Sequence, residues 1–214
     1  MNEMNNVILE RVYEFKYLGL LLEPSLTFVN HRKNVYNNIK YKLHQLAKVR
    51  DHIDTDTALT IYKSMVLPTF DYVDYIWDRD NKGENTELQL LQNKGLRTVY
   101  KVRLEQHPAK TTEQMHREGN IMLLEKRRDI HLLFYAFALS RMPTYIDDRD
   151  INTRIHIGKR LIMPRSQKPM VFHSALYRAI ERWNCLRPAF TLIEDLDEFK
   201  VIIKKDYPTC FVNE

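Results

Sequence analysis

Apolar side chains recur along most of the chain at the spacing of amphipathic helices, and polar or proline-containing segments separate them. Pro68 falls inside one of these stretches and should kink or break it, because proline has no amide hydrogen and its ring clashes with the preceding turn. Helices are therefore predicted over residues 31–50, 57–77, 86–102, 121–139, 175–186 and 194–205.

The N-terminal part has a different pattern. Residues 7–28 contain a dense aromatic and aliphatic run, interrupted by Gly19 and ended by Pro24, which is typical of a short strand pair. The expected fold is mainly α, with a short N-terminal β-hairpin followed by about seven helices in one or two helical subdomains. The expected segments are 1–29, 30–105 and 106–214, with a linker starting near Gln106 and an irregular basic segment at 151–172.

Several side chains are expected to build the core or cap helices. An apolar stripe should run along the first helix, Asp54 and Thr55 are both candidate caps for the next helix, and Ser174 should cap a later one. The stripe consists of Val35, Ile39, Leu43, Leu46 and Val49. The aromatic residues Trp77, Tyr177, Trp183 and Phe199 fall at core spacing, which favours packing over base stacking.

Composition narrows the possible functions. The chain has 214 residues, a net charge of +5 and a pI near 9.1, which permits a polyanionic partner without requiring one. Two distant cysteines and no cluster of metal ligands argue against a disulfide framework or a zinc site. The absence of a signal peptide or a long apolar run favours an intracellular protein, nuclear or cytoplasmic, that is not secreted. We expect no membrane contact, no cofactor, no metal and no small-molecule substrate.

Three groups of cations are candidate phosphate contacts. The first group lies on the predicted helix at 31–50, which contains no acidic residue. The second group shares one face of the predicted helix at 86–102, at positions i, i+3 and i+7. The third group lies in the irregular basic segment at 151–172. These groups are Arg32, Lys33, Lys40, Lys42, Lys48 and Arg50; Lys94, Arg97 and Lys101; and Arg154, Lys159, Arg160, Arg165 and Lys168. For the first two groups the alternative is an ordinary solvated basic surface, and for the third it is a disordered basic loop.

Short sequence blocks carry a family resemblance. In chain order they lie at 15–20 (FKYLGL), 64–68 (SMVLP), 91–94 (LQNK, followed by Arg97), 124–128 (LEKRR, followed by His131), 143–146 (PTYI) and 177–184 (YRAIERWN). Together, and in this order, they resemble the C-terminal, post-palm region of jockey-like non-LTR retrotransposon reverse transcriptases. The resemblance implies a primer-grip-like segment at Tyr17, Leu18 and Gly19, then a thumb and a helical region.

The resemblance also implies what this chain lacks. In the family, the polymerase carboxylates lie upstream of the Tyr-Leu-Gly segment, and only 16 residues precede Tyr17. A Tyr-x-Asp-Asp sequence at 145–148 lies downstream of it, which is the wrong order, so we interpret that sequence as a solvated loop. No catalytic residue is assigned, and no polymerase activity is expected from this chain alone.

The expected function is that of a C-terminal reverse transcriptase fragment that binds RNA or an RNA–DNA hybrid through phosphates. The missing palm and fingers are possible partners if the chain belongs to a longer protein. Two alternatives stay open: a helical protein-interaction module, and a nonfunctional retroelement remnant.

Overall fold

A computed structural model describes residues 11–78, 82–102, 110–146, 158–165 and 174–211, together with the backbone of two short strands before residue 11. The chain divides into two compact units, Met1–Val73 and Asp74–Glu214, called unit 1 and unit 2 below. The predicted mainly helical fold with an N-terminal antiparallel hairpin is confirmed. The boundary expected near Gln106 lies outside the described residues, and the three-segment division stays a prediction.

Unit 1 begins with paired strands. Strands β1 (Glu3–Met4) and β2 (Val7–Ile8) pair antiparallel, as do β3 (Phe15–Tyr17) and β4 (Leu20–Leu22). In the second pair Tyr17 is opposite Leu20, which leaves a two-residue loop. Both loop residues have positive φ, 46° and 86°, as a type I′ turn requires.

The first helix of unit 1 packs against β4. The helical elements of unit 1 are α1 (Val29–Val49), a 3-10 turn (Arg50–His52), α2 (Thr55–Ile61), a π-helical turn (Tyr62–Val66) and α3 (Leu67–Asp71). Four of the five predicted stripe residues of α1 are buried. Val49 is the exception at 44% exposed, because it is the last residue of the helix. Asp54 caps α2 as predicted, since its side chain accepts a hydrogen bond from the Thr57 amide at 2.8 Å.

Pro68 breaks the helical pattern as expected, but the adjustment begins before it. The π-helical turn ends where the Leu67 amide donates to the Tyr62 carbonyl, and Pro68 then occupies the first turn of α3. Proline is tolerated in a first turn because the amide hydrogen that it lacks has no helical partner there.

Unit 2 is entirely helical in its regular elements among the described residues. They are α4 (Asp74–Trp77), α5 (Lys82–Tyr100), α6 (Thr112–Glu118), α7 (Leu124–Leu139), a 3-10 turn (Pro143–Tyr145), α8 (Ala175–Asn184), α9 (Pro188–Thr191) and α10 (Leu196–Asp206).

Three details of unit 2 differ from the sequence prediction. Helix α5 begins four residues early, and the short α9 was not predicted. Helix α6 starts inside the expected linker, where Thr111 and Gln114 cap each other's backbone amides. This capping box is visible in the sequence as Thr-x-x-Gln and could have indicated the helix.

The core of unit 2 is aromatic. Trp183 of α8 lies 5.7 Å from the Phe199 ring and 6.3 Å from the Phe137 ring, measured between centroids, and all three side chains are buried. Trp77 is also fully buried, whereas Tyr177 is only half-buried. The predicted core role is therefore confirmed for Trp77, Trp183 and Phe199. Ser174 caps α8 by accepting from the Tyr177 amide at 3.2 Å, also as predicted.

Within the described residues, no helix combines the length and the apolar character that a membrane crossing demands. Both cysteines are free thiols; Cys185 is exposed and Cys210 is buried. Burial raises the pKa of the Cys210 thiol to about 11.

Candidate nucleic-acid interface

Helix α1 presents exposed lysines on the side opposite its buried stripe. Lys33 and Lys40 are seven residues apart, which is close to two helical turns, so they share one side of the helix. Lys48 lies eight residues further and is also exposed. The three span about 22 Å along the axis at 1.5 Å per residue. Because α1 contains no Asp or Glu, no carboxylate of the helix itself offsets this charge.

Two of the predicted contacts on this helix are not on its surface. Arg32 is 7% exposed and Arg50 is 6% exposed, so both side chains lie largely inside unit 1. Arg50 instead donates to the Ile53 carbonyl at 2.7 Å and to the Thr55 hydroxyl at 3.0 Å. It stabilises the turn between α1 and α2. Helical spacing could have indicated this burial, because Arg32 lies three residues before Val35 and Arg50 lies four residues after Leu46, so both continue the apolar stripe.

The environment of Lys42 differs both from that of the exposed lysines of α1 and from that of the two buried arginines. Lys42 is half-buried, and its ammonium donates to the Met65 carbonyl at 2.9 Å and to the Thr69 hydroxyl at 2.6 Å. It lines a cavity of about 570 Å³ within unit 1. The neighbouring His31 uses Nδ1 to accept from the Leu21 amide at 3.3 Å, and burial lowers its pKa from the usual value, so the ring is neutral at pH 7.

The primer-grip-like residues form the tip of the β3–β4 hairpin. Tyr17 and Leu18 are 58% and 75% exposed. The Tyr72 hydroxyl donates to the Leu18 carbonyl, and the Tyr72 ring packs against Gly19. The tip is thus fixed to the end of α3, a contact between residues 54 positions apart that sequence reasoning missed.

Replacing Gly19 with alanine should destabilise unit 1 by about 1–2 kcal/mol, because φ is +86° and the new methyl group would lie 3.3 Å from a Tyr72 ring carbon. Urea denaturation measures the loss. Leu18→Asn is the matched control: asparagine tolerates the φ of 46° at that position, so stability should be unchanged or slightly higher. Equal stability of Gly19→Ala and the wild type would contradict the strained-turn interpretation.

The second predicted group lies at the end of α5. Lys94 is exposed and Arg97 is half-buried. Lys101 is exposed but does not continue their helix face, because α5 ends at Tyr100 and Lys101 adopts a left-handed φ of 53°. The Val102 amide then donates to the Arg97 carbonyl at 3.0 Å, which closes the helix end.

The third group is only partly described. Arg154 and Lys168 lie outside the described residues, as do Asp147 and Asp148. Arg160 and Arg165 are exposed, whereas the half-buried Lys159 has its ammonium 3.8 Å from a Glu194 carboxylate oxygen.

The segment that carries these cations is held by the Trp-Asn pair of α8. The Trp183 indole donates to the Lys159 carbonyl at 2.8 Å. The Asn184 amide accepts from the Leu161 amide and donates to the Leu161 carbonyl, both at 2.9 Å. Leu161 is buried while Arg160 and Ile162 on either side are exposed, so the pair fixes which side chains face solvent.

The Leu-Gln-Asn block of α5 proves to be structural. Gln92 is fully buried and donates to the Met122 carbonyl at 3.2 Å. Gln89 accepts from the Leu124 amide at 3.0 Å, and Asn93 lies 3.0 Å from His116 Nε2. Gln92 and Gln89 thus satisfy backbone groups at the start of α7, and Asn93 satisfies the side chain of His116 in α6.

The charged block of α7 is likewise tied to its own unit. Arg128 lies 3.5 Å from the Asp78 carboxylate, with both side chains 6% exposed, and His131 lies 2.8 Å from the Asp74 carboxylate. Both contacts join α7 to α4 or to the residue that follows α4. Among the described residues, the predicted phosphate contacts that are exposed are Lys33, Lys40, Lys48, Lys94, Lys101, Arg160 and Arg165.

The sequence comparisons identify the class of protein to which the chain is similar: RNA-directed DNA polymerases of non-LTR retrotransposons. The predicted resemblance to jockey-like reverse transcriptases is confirmed.

Three relatives illustrate the similarity. The chain is 30% identical over 159 residues to a probable RNA-directed DNA polymerase from transposon BS of Drosophila melanogaster; the match covers 71% of this chain and 17% of that protein. It is 28% identical over 99 residues to the polymerase from mobile element jockey of Drosophila funebris, covering 45% and 11%. It is 31% identical over 87 residues to a probable polymerase from transposon X-element of Drosophila melanogaster, covering 39% and 10%. The chain thus spans 17% or less of the length of these relatives. No known family profile matches it, and no solved structure does.

Proposed function

We propose that unit 1 binds RNA or an RNA–DNA hybrid through phosphate contacts, as the thumb-like part of a non-LTR retrotransposon polymerase. The observation that carries the proposal is the acid-free helix α1 with exposed Lys33, Lys40 and Lys48. The similarity to RNA-directed DNA polymerases supports a nucleic-acid partner.

The arrangement favours backbone contacts over base recognition. A row of lysines about 22 Å long can follow successive phosphates, and ammonium groups act on phosphates as point charges with no fixed hydrogen-bond geometry. Binding should therefore be tolerant of sequence, micromolar or weaker, and strongly dependent on salt.

The test is fluorescence anisotropy of a labelled RNA–DNA hybrid with the full chain across a salt series. Each neutralised phosphate contributes roughly 0.9 to the slope of log K against log salt for B-form DNA, and we expect hybrids to behave similarly. The triple variant Lys33→Ala, Lys40→Ala, Lys48→Ala should lower the slope by about 2–3.

A matched control removes the same charge elsewhere. Lys126, Lys204 and Lys205 are exposed on α7 and α10 of unit 2, and their replacement by alanine should leave the slope nearly unchanged. Equal slopes for the wild type and the α1 variant would exclude α1 as the interface.

A second candidate function is protein interaction, favoured by the exposed apolar side chains around the hairpin. Tyr13, Phe15 and Leu18 are 73%, 55% and 75% exposed. Such a group of apolar side chains suits a protein surface, such as the palm or fingers of a longer polymerase. A folded chain without salt-dependent nucleic-acid binding would favour this second function.

A further inference from the structure

The cavity of unit 1 has the size of a small-ligand site. Its volume is about 570 Å³, within the 300–1,000 Å³ typical of such sites. Its walls come from three parts of the chain: the hairpin supplies Lys16 and Gly19, α1 supplies Asn34, Asn38 and Lys42, and the segment from the π-helical turn to the residue after α3 supplies Met65 and Tyr72. All of them belong to unit 1.

The polar lining of this cavity is suited to an anion. Lys16 and Lys42 provide two ammonium groups, and Asn34 and Asn38 provide amides that can donate or accept. Among the described residues, no carboxylate lines the cavity. Lys42 is held in place by a carbonyl and a hydroxyl, both neutral, so its positive charge is not cancelled by either partner.

The same cavity also has an apolar and aromatic side. Met65 and Tyr72 are 57% and 52% exposed and both line it. The Tyr72 hydroxyl is bonded to the Leu18 carbonyl, which fixes the ring beside the cavity. An aromatic ring fixed in this way offers a surface on which a flat heterocycle can stack.

These two sides together match the chemistry of one nucleotide. A phosphate needs the ammonium groups, the edge of a base needs amide donors and acceptors, and the face of a base needs an aromatic or apolar surface. A base-paired nucleotide cannot enter a cavity, because its base is stacked and paired within the duplex. An unpaired one at a strand end can.

We propose that this cavity receives one unpaired nucleotide at the end of the bound nucleic acid, with its phosphate at Lys16 and Lys42 and its base between Asn38 and Tyr72. The inference rests on the proposed function, since the duplex held by the lysines of α1 delivers the strand end. Lys33, Lys40 and Lys48 do not line the cavity, so the two kinds of contact can be separated by mutation.

The experiment compares a blunt RNA–DNA hybrid with the same hybrid carrying a one-nucleotide 2-aminopurine overhang, in a 3′ and a 5′ version. The full chain should bind one overhang version about tenfold more tightly than the blunt hybrid, as one charge-assisted hydrogen bond or one stacked base would provide. The 2-aminopurine fluorescence should fall on binding, because the base stacks.

Variants separate the cavity from the duplex contacts. Asn38→Leu and Lys42→Met should each abolish the preference for the overhang while leaving binding of the blunt hybrid unchanged. Asn37→Leu is the matched control, because Asn37 is an exposed neighbour on α1 that does not line the cavity. Circular dichroism checks that each variant is folded; Asn38 is exposed, so Asn38→Leu keeps the test valid if Lys42→Met unfolds.

The outcomes distinguish the two proposals. Salt-dependent binding of the blunt hybrid with no preference for either overhang would overturn the nucleotide site and leave the proposed function standing. A preference for an overhang that survives Asn38→Leu would also overturn the assignment to this cavity. Binding of neither hybrid would defeat both proposals.

Discussion

Replacing Trp183 with alanine should cost unit 2 about 3–5 kcal/mol of unfolding free energy, the usual range for a fully buried large aromatic side chain. The ring packs against both Phe137 and Phe199, and its indole nitrogen donates to the Lys159 carbonyl. The variant therefore leaves both a cavity and an unsatisfied carbonyl. Because a domain is stable by only about 5–15 kcal/mol, much of the stability would be lost.

Urea denaturation followed by circular dichroism measures this loss. Trp183→Phe should cost less, since it keeps most of the packing and removes only the hydrogen bond and part of the volume. Val201→Ala on α10 is the control: its side chain is 67% exposed, and its replacement should change stability by no more than about 0.5 kcal/mol. If Trp183→Ala cost no more than Val201→Ala, the aromatic core described for unit 2 would be wrong.

Replacing Arg128 with methionine should cost about 3–5 kcal/mol, because it removes the guanidinium that lies 3.5 Å from the buried Asp78 carboxylate. The guanidinium also lies 5.9 Å from the Trp77 ring centroid, so a favourable contact with a buried aromatic ring is lost as well. Thermal and urea unfolding of the full chain give the change in stability.

A double variant isolates the ion pair. Arg128→Met with Asp78→Asn should be more stable than Arg128→Met alone, because no buried charge is then left uncompensated. Arg127→Met is a suitable control on the same helix, since Arg127 is less deeply buried than Arg128. Additive effects of the two substitutions at 78 and 128 would show that the pair does not couple.

Much of the fold could be predicted from local patterns. The spacing of Ile39 and Leu43 marked α1, the serine at 174 marked the start of α8, and the spacing around Trp183 marked the core of unit 2. Each of these signals depends on residues within one or two turns of the same element. These features can therefore be predicted from the sequence without knowledge of the tertiary structure.

The candidate site could be predicted only in part, because some of its contacts join residues that are far apart in the sequence. The hydrogen bonds of the Lys42 ammonium are made with Met65 and Thr69, which are more than 20 residues away in the sequence and lie in or just after the π-helical turn. Arg32 differs from Lys42, because it lies three residues before Val35 on the apolar stripe itself, so spacing within the helix could have indicated its burial. Exposed positions such as Lys33 were correctly placed on the surface because they lie opposite the apolar stripe.

The buried amides of α5 have a consequence for how such chains are recognised. Gln92 donates to the loop before α7 and Asn93 lies within hydrogen-bond distance of His116 in α6, so any descendant that keeps this fold is under pressure to keep both side chains. That pressure persists whether or not the descendant still binds nucleic acid. The presence of these two amides in a related chain would therefore indicate common descent of the fold. Substitution of the exposed lysines of α1 in such a chain would indicate that nucleic-acid binding was no longer under selection.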